Sequence, residues 1–132
     1  MLRHPVVVQP DTELFEAIHL ILVNRISGVA VVDERRRLLG MLSELDCLGG
    51  ILTGTYHQIV GGKVRDYMIS DDLDTVSPDD DIMVLAQDML KKGRRRLPVV
   101  DAEGIMLGMV TCRALLKAMK DFDAPADPRE RP

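Results

Sequence analysis

An internal repeat constrains the fold of this chain more than any other feature of its sequence. With an offset of 68 residues, the segment 8–48 matches the segment 76–116 at 11 of 41 positions without a gap. The matches include turn residues as well as apolar residues: Pro10 and Pro78, Asp33 and Asp101, Gly40 and Gly108, Leu48 and Leu116. Because such self-similarity indicates one structural unit that occurs twice, the two copies are predicted to fold alike.

Each copy is predicted to form a strand, a helix, two further strands and a second helix. A short β-branched segment opens the copy and stops before a proline, which cannot pair within a central strand. Apolar residues at helical spacing follow, with Asp11 and Asp79 as predicted N-caps and Gly93 as a predicted helix end. The next segments, 28–32 and 97–100, are continuous apolar runs, which is typical of strands buried on both faces. The predicted fold class is therefore α/β, or α+β in some schemes, with two tandem β-α-β-β-α repeats.

Composition shifts along the chain set the predicted boundaries. The first repeat spans residues 1–56 and the second spans residues 71–122. Residues 57–70 are predicted to be a linker, Gly-rich at first, that ends in a short helix. Residues 123–132 contain three prolines and several charges but almost nothing apolar, so we expect a mobile C-terminal tail.

The overall composition is that of one module with its own core. Of the 132 residues, 46% are apolar and 29% are charged, so neither a disulfide nor a metal is needed to stabilise the fold. The longest apolar runs are far shorter than the roughly 20 residues that a membrane span requires, and no secretory signal pattern precedes them. Two cysteines without ligand spacing are typical of reduced thiols. We therefore expect a cytoplasmic protein without a membrane partner.

Several classes of function are disfavoured by the same composition. The net charge of −4 opposes binding to a phosphate backbone, and no Trp, two Tyr and two Phe leave few platforms on which nucleic-acid bases stack. The three histidines lie far apart in the sequence, and no G-x-S-x-G turn is present. We expect no enzyme activity, no metal site, no required cofactor and no nucleic-acid partner.

The repeated pattern resembles a known family. Its order is a strand, a proline, a helix with an acidic cap, V-V-D, a hairpin, G-h-S/T and a helix, where h is apolar, and it occurs twice. This order is similar to that of a tandem pair of cystathionine-β-synthase (CBS) domains, also called a Bateman module, over about residues 6–122. The resemblance implies two repeats packed sheet to sheet about a pseudo-two-fold axis, two clefts between them, and frequent assembly into a homodimer. It also implies a stand-alone regulatory module, read by an unknown regulated protein.

Similar modules often bind AMP, ADP, ATP or S-adenosylmethionine through the pattern G-h-h-S/T-x-x-D, which the first copy matches from Gly40 to Asp46. A helix N-terminus offers N–H groups to a phosphate, and Asp46 is suited to accept hydrogen bonds from both ribose hydroxyls. The predicted main cleft comprises Ser43 and Asp46, Thr75, Val76 and Pro78 from the opening strand of the other copy, and Ser27, Gly28 and Ala30 beside the adenine.

The second copy departs from this pattern. Its Gly108-Met109-Val110-Thr111 run is followed by Ala114 where the first copy has the carboxylate, and its partner strand has Val7 where a hydroxyl is expected. Ribose hydroxyls left unpaired without that acceptor cost about 1–3 kcal/mol of binding free energy, so we expect one main site. Arg95 and Arg96 are suited to phosphate oxygens, either in a second cleft with Thr111 or on behalf of a ligand in the first cleft.

Each of these residues also has a purely structural interpretation. Ser43 and Asp46 have the spacing of a capping box, which alone accounts for both. The basic run 91–96 is most often a solvated helix C-terminus, where cations are favoured. The corresponding alternative for the whole chain is a ligand-free dimerisation or scaffold module whose cleft has decayed.

Overall fold

The fold is described by a computed structural model, which covers residues 4–56 and 62–123. The first half contains β1 (Val7–Val8), α1 (Leu14–Asn24), β2 (Gly28–Val32), β3 (Leu38–Ser43) and α2 (Glu44–Tyr56). A short 3-10 helix, Val64–Asp66, leads to the second half, which contains α3 (Ile82–Lys92), β4 (Arg96–Val100), β5 (Met106–Thr111) and α4 (Cys112–Asp123). The predicted order of elements is confirmed except at the start of the second half, where no strand precedes α3 within the described residues. The fold is a mixed α and β structure of two tandem repeats.

Strand pairing repeats with the same offset as the sequence. In the first half β1 pairs in parallel with β2, which pairs antiparallel with β3 so that Gly28 faces Ser43. In the second half β4 pairs antiparallel with β5, and Arg96 faces Thr111. Val76 forms a single parallel bridge in place of a full opening strand. The internal repeat of the sequence is thus a repeat of hydrogen-bond register.

The hairpin after each V-V-D run is closed by its aspartate. Asp33 accepts hydrogen bonds at Oδ1 from the backbone N–H groups of Arg35 and Arg37, each at 2.9 Å. Asp101 accepts the equivalent pair, also at 2.9 Å. The turn residue between them is left-handed in both copies, with φ of 65° at Arg36 and 81° at Gly104. The V-V-D run therefore marks the end of a buried strand and the acceptor that fixes the turn.

The predicted helix N-caps are wrong by two residues in both copies. The N-cap of α3 is Asp81, whose side chain accepts a hydrogen bond from the N–H of Met83, and the N-cap of α1 is Glu13, which makes no side-chain cap bond. The chain forms a further turn after each proline before the helix begins, and Asp79 lies within that turn. The predicted end of α3 at Gly93 is confirmed, with φ of 64°.

Each half has its own core, and a third core joins them. Successive residues of β2 face opposite sides: Val29 and Val31 pack against α1, whereas Ala30 and Val32 pack against Met106 and Met109 of the other half. All the residues of β2 are buried, as the apolar run predicts. The two sheets therefore pack against each other, as the resemblance implies.

Hydrogen bonds between the hairpins show the pseudo-two-fold relation directly. The N–H of Leu38 donates to the carbonyl of Gly104 at 3.0 Å, and the N–H of Met106 donates to the carbonyl of Arg36 at 2.8 Å. Leu38 and Met106 are equivalent under the repeat, as are Arg36 and Gly104. An exchange of equivalent donors and acceptors requires an axis between the hairpins.

The end of the predicted linker packs on the first half. Val64 is fully buried in the first core, and Ile69 pairs with Met41 at the edge of β3 through two backbone hydrogen bonds of 2.9 Å. The predicted tail beyond Asp123 and linker residues 57–61 lie outside the described residues, and the domain boundaries stay predictions. No helix within the described ranges combines the length and apolar character needed to cross a bilayer.

Candidate functional site

A cavity of about 530 Å³ opens between the halves, where β2 and β4 begin. One wall is the start of β2 and the junction of β3 with α2, and the opposite wall is the start of β4. A connector preceding Val76 completes the cavity. The lining residues on these segments are Ser27 and Gly28, residues 41–46, Ile69, residues 72–74, and residues 93–98.

Ser43 and Asp46 bind each other at the β3–α2 junction. Oδ2 of Asp46 accepts a hydrogen bond from the backbone N–H of Ser43 at 2.8 Å, and the N–H of Asp46 donates to Oγ of Ser43 at 3.1 Å. The capping box foreseen as a structural alternative is therefore formed. Both side chains are half-buried and line the cavity. Oδ1 of Asp46 accepts no hydrogen bond within the described part of the chain, so this oxygen is available to a ligand.

The N-terminus of α2 offers fewer free donors than the sequence predicts. The N–H groups of Ser43 and Asp46 are used in the capping box, and the N–H of Glu44 donates to the carbonyl of Ser27 at 2.9 Å. The expectation that this helix end provides free N–H groups to a phosphate is wrong for these three groups. The cations that face an anion placed in this cavity would be the arginines of the opposite wall.

Arg96 reaches from the second half into the first. Its Nη1 donates to the carbonyl of Gly28 at 3.2 Å, and burial lowers the pKa of the guanidinium from its ordinary value. Gly28 occupies the equivalent position in the first half, where a Cβ would lie 2.7 Å from the carbonyl oxygen of Leu42. The two halves thus differ at this pair of equivalent lining positions, where only the second half contributes a cation. The neighbouring Arg95 is exposed and lines the same wall.

The connector that completes the cavity was not identified from the sequence. Asp72, Leu73 and Asp74 line the cavity just before Thr75. The carboxylate of Asp74 forms ion pairs with Nε of Arg94 at 3.0 Å and with Nζ of Lys92 at 3.5 Å. The acidic pattern of residues 71–74 was the available signal, but its position depends on the pairing of Ile69 with Met41, which the sequence does not indicate.

Of the residues predicted to form sites, six line the cavity and five do not. Those that line it are Ser27, Gly28, Ser43, Asp46, Arg95 and Arg96, and their contact with a ligand stays a prediction. Ala30 is fully buried between the sheets, so its assignment beside the adenine is wrong. Thr111 caps α4 by accepting a hydrogen bond from the N–H of Ala114 at 3.0 Å and does not line this cavity.

The opening segment of the second half also lies outside the cavity. Val76 donates to the carbonyl of Pro98 and accepts from the N–H of Val100, so pairing within its own half uses both of its backbone groups. Thr75 and Pro78 are exposed beside it and do not line the cavity. On this side the cavity is lined instead by the preceding residues, 72–74. Across the described residues, no group of His, Cys, Asp and Glu side chains is arranged to hold a metal ion.

Comparison with known proteins agrees with this architecture. The family model described as CBS domain matches residues 1–53 and again residues 64–121. An inosine-5'-monophosphate dehydrogenase of Aquifex aeolicus is 35% identical over 128 residues, which are 96% of this chain and 25% of that relative. The chain thus spans about a quarter of the length of this enzyme.

Two solved structures are similar over most of the chain. The crystal structure of CBSX2, a CBS-pair protein from Arabidopsis thaliana, in complex with AMP has a TM-score of 0.78 at 29% identity and covers 89% of each chain. The cytosolic domain of the Mg²⁺ channel MgtE in complex with ATP has a TM-score of 0.71 at 27% identity. It covers 86% of this chain and 44% of that chain.

Proposed function

Because the chain belongs to the CBS domain family, we propose that it is a regulatory module that binds an adenosine nucleotide or adenosyl compound in the cavity between its halves. Binding changes the packing of the halves, and an unidentified partner protein responds to that change. The module has no catalysis of its own and acts in the cytoplasm.

The observation that carries this proposal is the presence of a carboxylate and of guanidinium groups on opposite walls of one cavity. Asp46 offers Oδ1 on the first-half wall, and Arg95 and Arg96 offer guanidinium groups on the second-half wall. A carboxylate oxygen suits the ribose hydroxyls, and arginine forks suit phosphate oxygens. The volume of about 530 Å³ is within the range of small-molecule sites.

Relatives support the adenosine part of the proposal. CBSX2 was crystallised with AMP and the MgtE domain with ATP, each at more than a quarter sequence identity to this chain. S-adenosylmethionine and ADP complete the set of ligands to be tested. A ligand that touches both walls shifts the equilibrium between two packings only by its differential affinity for them, and about 1–3 kcal/mol is typical of such coupling.

The proposal is tested by isothermal titration of the chain with AMP, ADP, ATP and S-adenosylmethionine. We expect one main site per chain, with an affinity that falls at least tenfold in Asp46→Ala because the ribose acceptor is lost. Asp81→Ala is the matched control, because Asp81 also caps a helix but does not line the cavity. Equal losses of affinity in the two variants would show that Asp46 acts through stability alone.

The second candidate is a ligand-free dimerisation or scaffold module. It is favoured by the capping box, which satisfies Ser43 and Asp46 without a ligand, and by exposed apolar side chains along α2. Leu45, Leu48 and Leu52 on that helix are 79%, 56% and 63% exposed. Sedimentation equilibrium that gives a dimer mass, together with no heat from any of the four ligands, would establish this alternative.

A further inference from the structure

The charges of the residues that line the cavity indicate which adenosine ligand the cavity accepts. Three arginines and four carboxylates line it, a balance of −1: Arg94, Arg95 and Arg96 against Glu44, Asp46, Asp72 and Asp74. A cavity of about 530 Å³ brings these charges within about a Debye length of one another at physiological salt, so solvent ions screen them only in part. The number of phosphate groups on a ligand is therefore an electrostatic variable in this cavity.

One of the three arginines, Arg94, is already engaged in an ion pair. Asp74 lies between Nε of Arg94 at 3.0 Å and Nζ of Lys92 at 3.5 Å, and only about a quarter of its side chain is exposed. Within this ion-pair cluster the carboxylate of Asp74 engages both cations. Arg95 makes no ion pair with the residues the structure describes, and Arg96 uses one of its donors on the carbonyl of Gly28.

We propose, on the basis of the proposed function, that the cavity selects an adenosine ligand with a single phosphate group and that Asp74 determines this selectivity. A phosphate dianion matches the combined charge of Arg95 and Arg96, the two lining arginines that make no ion pair with the described residues. Each further phosphate of a di- or triphosphate adds negative charge to a cavity whose lining residues already sum to −1, and like charges at such range repel.

The test compares AMP with ATP by isothermal titration in buffer with EDTA, because Mg²⁺ would neutralise the triphosphate. We expect the wild-type chain to bind AMP more tightly than ATP. Asp74→Asn keeps the size of the side chain and releases Arg94 and Lys92, so we expect the preference for AMP to fall about tenfold, chiefly through tighter ATP binding. Circular dichroism verifies that the variant is folded.

Asp71→Asn is the matched control. It removes the same charge from the same connector, but Asp71 is exposed and does not line the cavity. We expect its ratio of ATP to AMP affinity to equal that of the wild type. A double variant with Arg94→Gln added to Asp74→Asn should lose most of the gain in ATP affinity, because the released cation is absent.

The outcomes separate the two proposals. An unchanged ratio in Asp74→Asn, or a wild-type chain that prefers ATP or S-adenosylmethionine to AMP, overturns the selectivity assigned to Asp74 while adenosine binding itself stands. Failure of AMP, ADP, ATP and S-adenosylmethionine to bind the wild-type chain overturns the proposed function instead.

Discussion

At the scale of single residues, the repeat places an arginine and a glycine in the same strained conformation. Arg25 ends α1 with φ of 53°, and Gly93 ends α3 with φ of 64°. A left-handed conformation costs a residue with a Cβ about 1 kcal/mol or more, and glycine avoids this cost. We expect Arg25→Gly to raise the free energy of unfolding by about 1 kcal/mol, measured as a higher urea midpoint with an unchanged slope.

The reverse substitution in the other copy is the control. A Cβ on Gly93 would meet nothing within 4 Å, so Gly93→Ala tests the backbone conformation without a steric clash. We expect it to lower the free energy of unfolding by about 1 kcal/mol. If Arg25→Gly does not raise the free energy of unfolding, the Arg25 side chain offsets the backbone strain by contacts of its own.

The candidate site shows which residues the sequence identifies and which it does not. Ser43 and Asp46 were predictable because three residues separate them at a helix start, so local geometry alone brings them together. Asp74 was not predictable, since its approach to Lys92 and Arg94 depends on the path of a connector. For the same reason Thr75, which follows Asp74 directly, was placed in the cavity from the sequence but lies outside it.

At the scale of elements, two adjacent glycines of α2 have opposite surroundings. Gly49 is exposed, and a Cβ there would meet nothing within 4 Å. Gly50 is buried, and a Cβ there would lie 3.0 Å from Cδ2 of Leu14 and 3.1 Å from the ring of Tyr67. Alanine is a better helix former than glycine by about 1 kcal/mol, so we expect Gly49→Ala to raise the melting temperature.

Gly50→Ala is expected to lower the melting temperature. Leu14 lies in the first core, and displacing Leu14 costs about 1–3 kcal/mol, more than the gain in helix propensity. The expected order of melting temperature, from highest to lowest, is therefore Gly49→Ala, wild type, Gly50→Ala. Thermal unfolding monitored by circular dichroism at 222 nm measures this order. The opposite ranking would mean that α2 does not pack on α1 at Gly50.

Elements were predicted well where their signal is local and poorly where a turn precedes them. Continuous apolar runs identified β2 and β4, and the glycine at position 93 identified the end of α3. The helix starts were misplaced because each proline is followed by an additional turn, in which an aspartate is as favourable as at a helix N-cap. The pattern of residue types does not distinguish these two uses of aspartate.

At the scale of the whole molecule, the two halves share buried surface that neither half covers alone. Met106 and Met109, both 1% exposed, pack against Ala30 and Val32 across the pseudo-two-fold axis. Unfolding either half would expose this shared core. We therefore expect the chain to unfold in a single cooperative transition rather than one half at a time.

The tyrosines make this prediction measurable. The chain has two Tyr and no Trp, and Tyr67 packs against the first core, so the fluorescence of Tyr67 reports on the first half. Far-UV circular dichroism reports on the helices of both halves. We expect the two signals to give coincident urea transitions.

A substitution in the shared core tests the same point. Met109 lies in the second half, yet Met109→Ala should lower the free energy of unfolding measured by both signals by about 2–5 kcal/mol, since the cavity that it creates weakens the core that both halves share. Met83→Ala, at an exposed methionine of α3, should shift neither by more than about 0.5 kcal/mol. A fluorescence transition that Met109→Ala leaves unchanged would mean that the halves unfold independently, and a ligand bridging them would then act by joining two autonomous units rather than by repacking one.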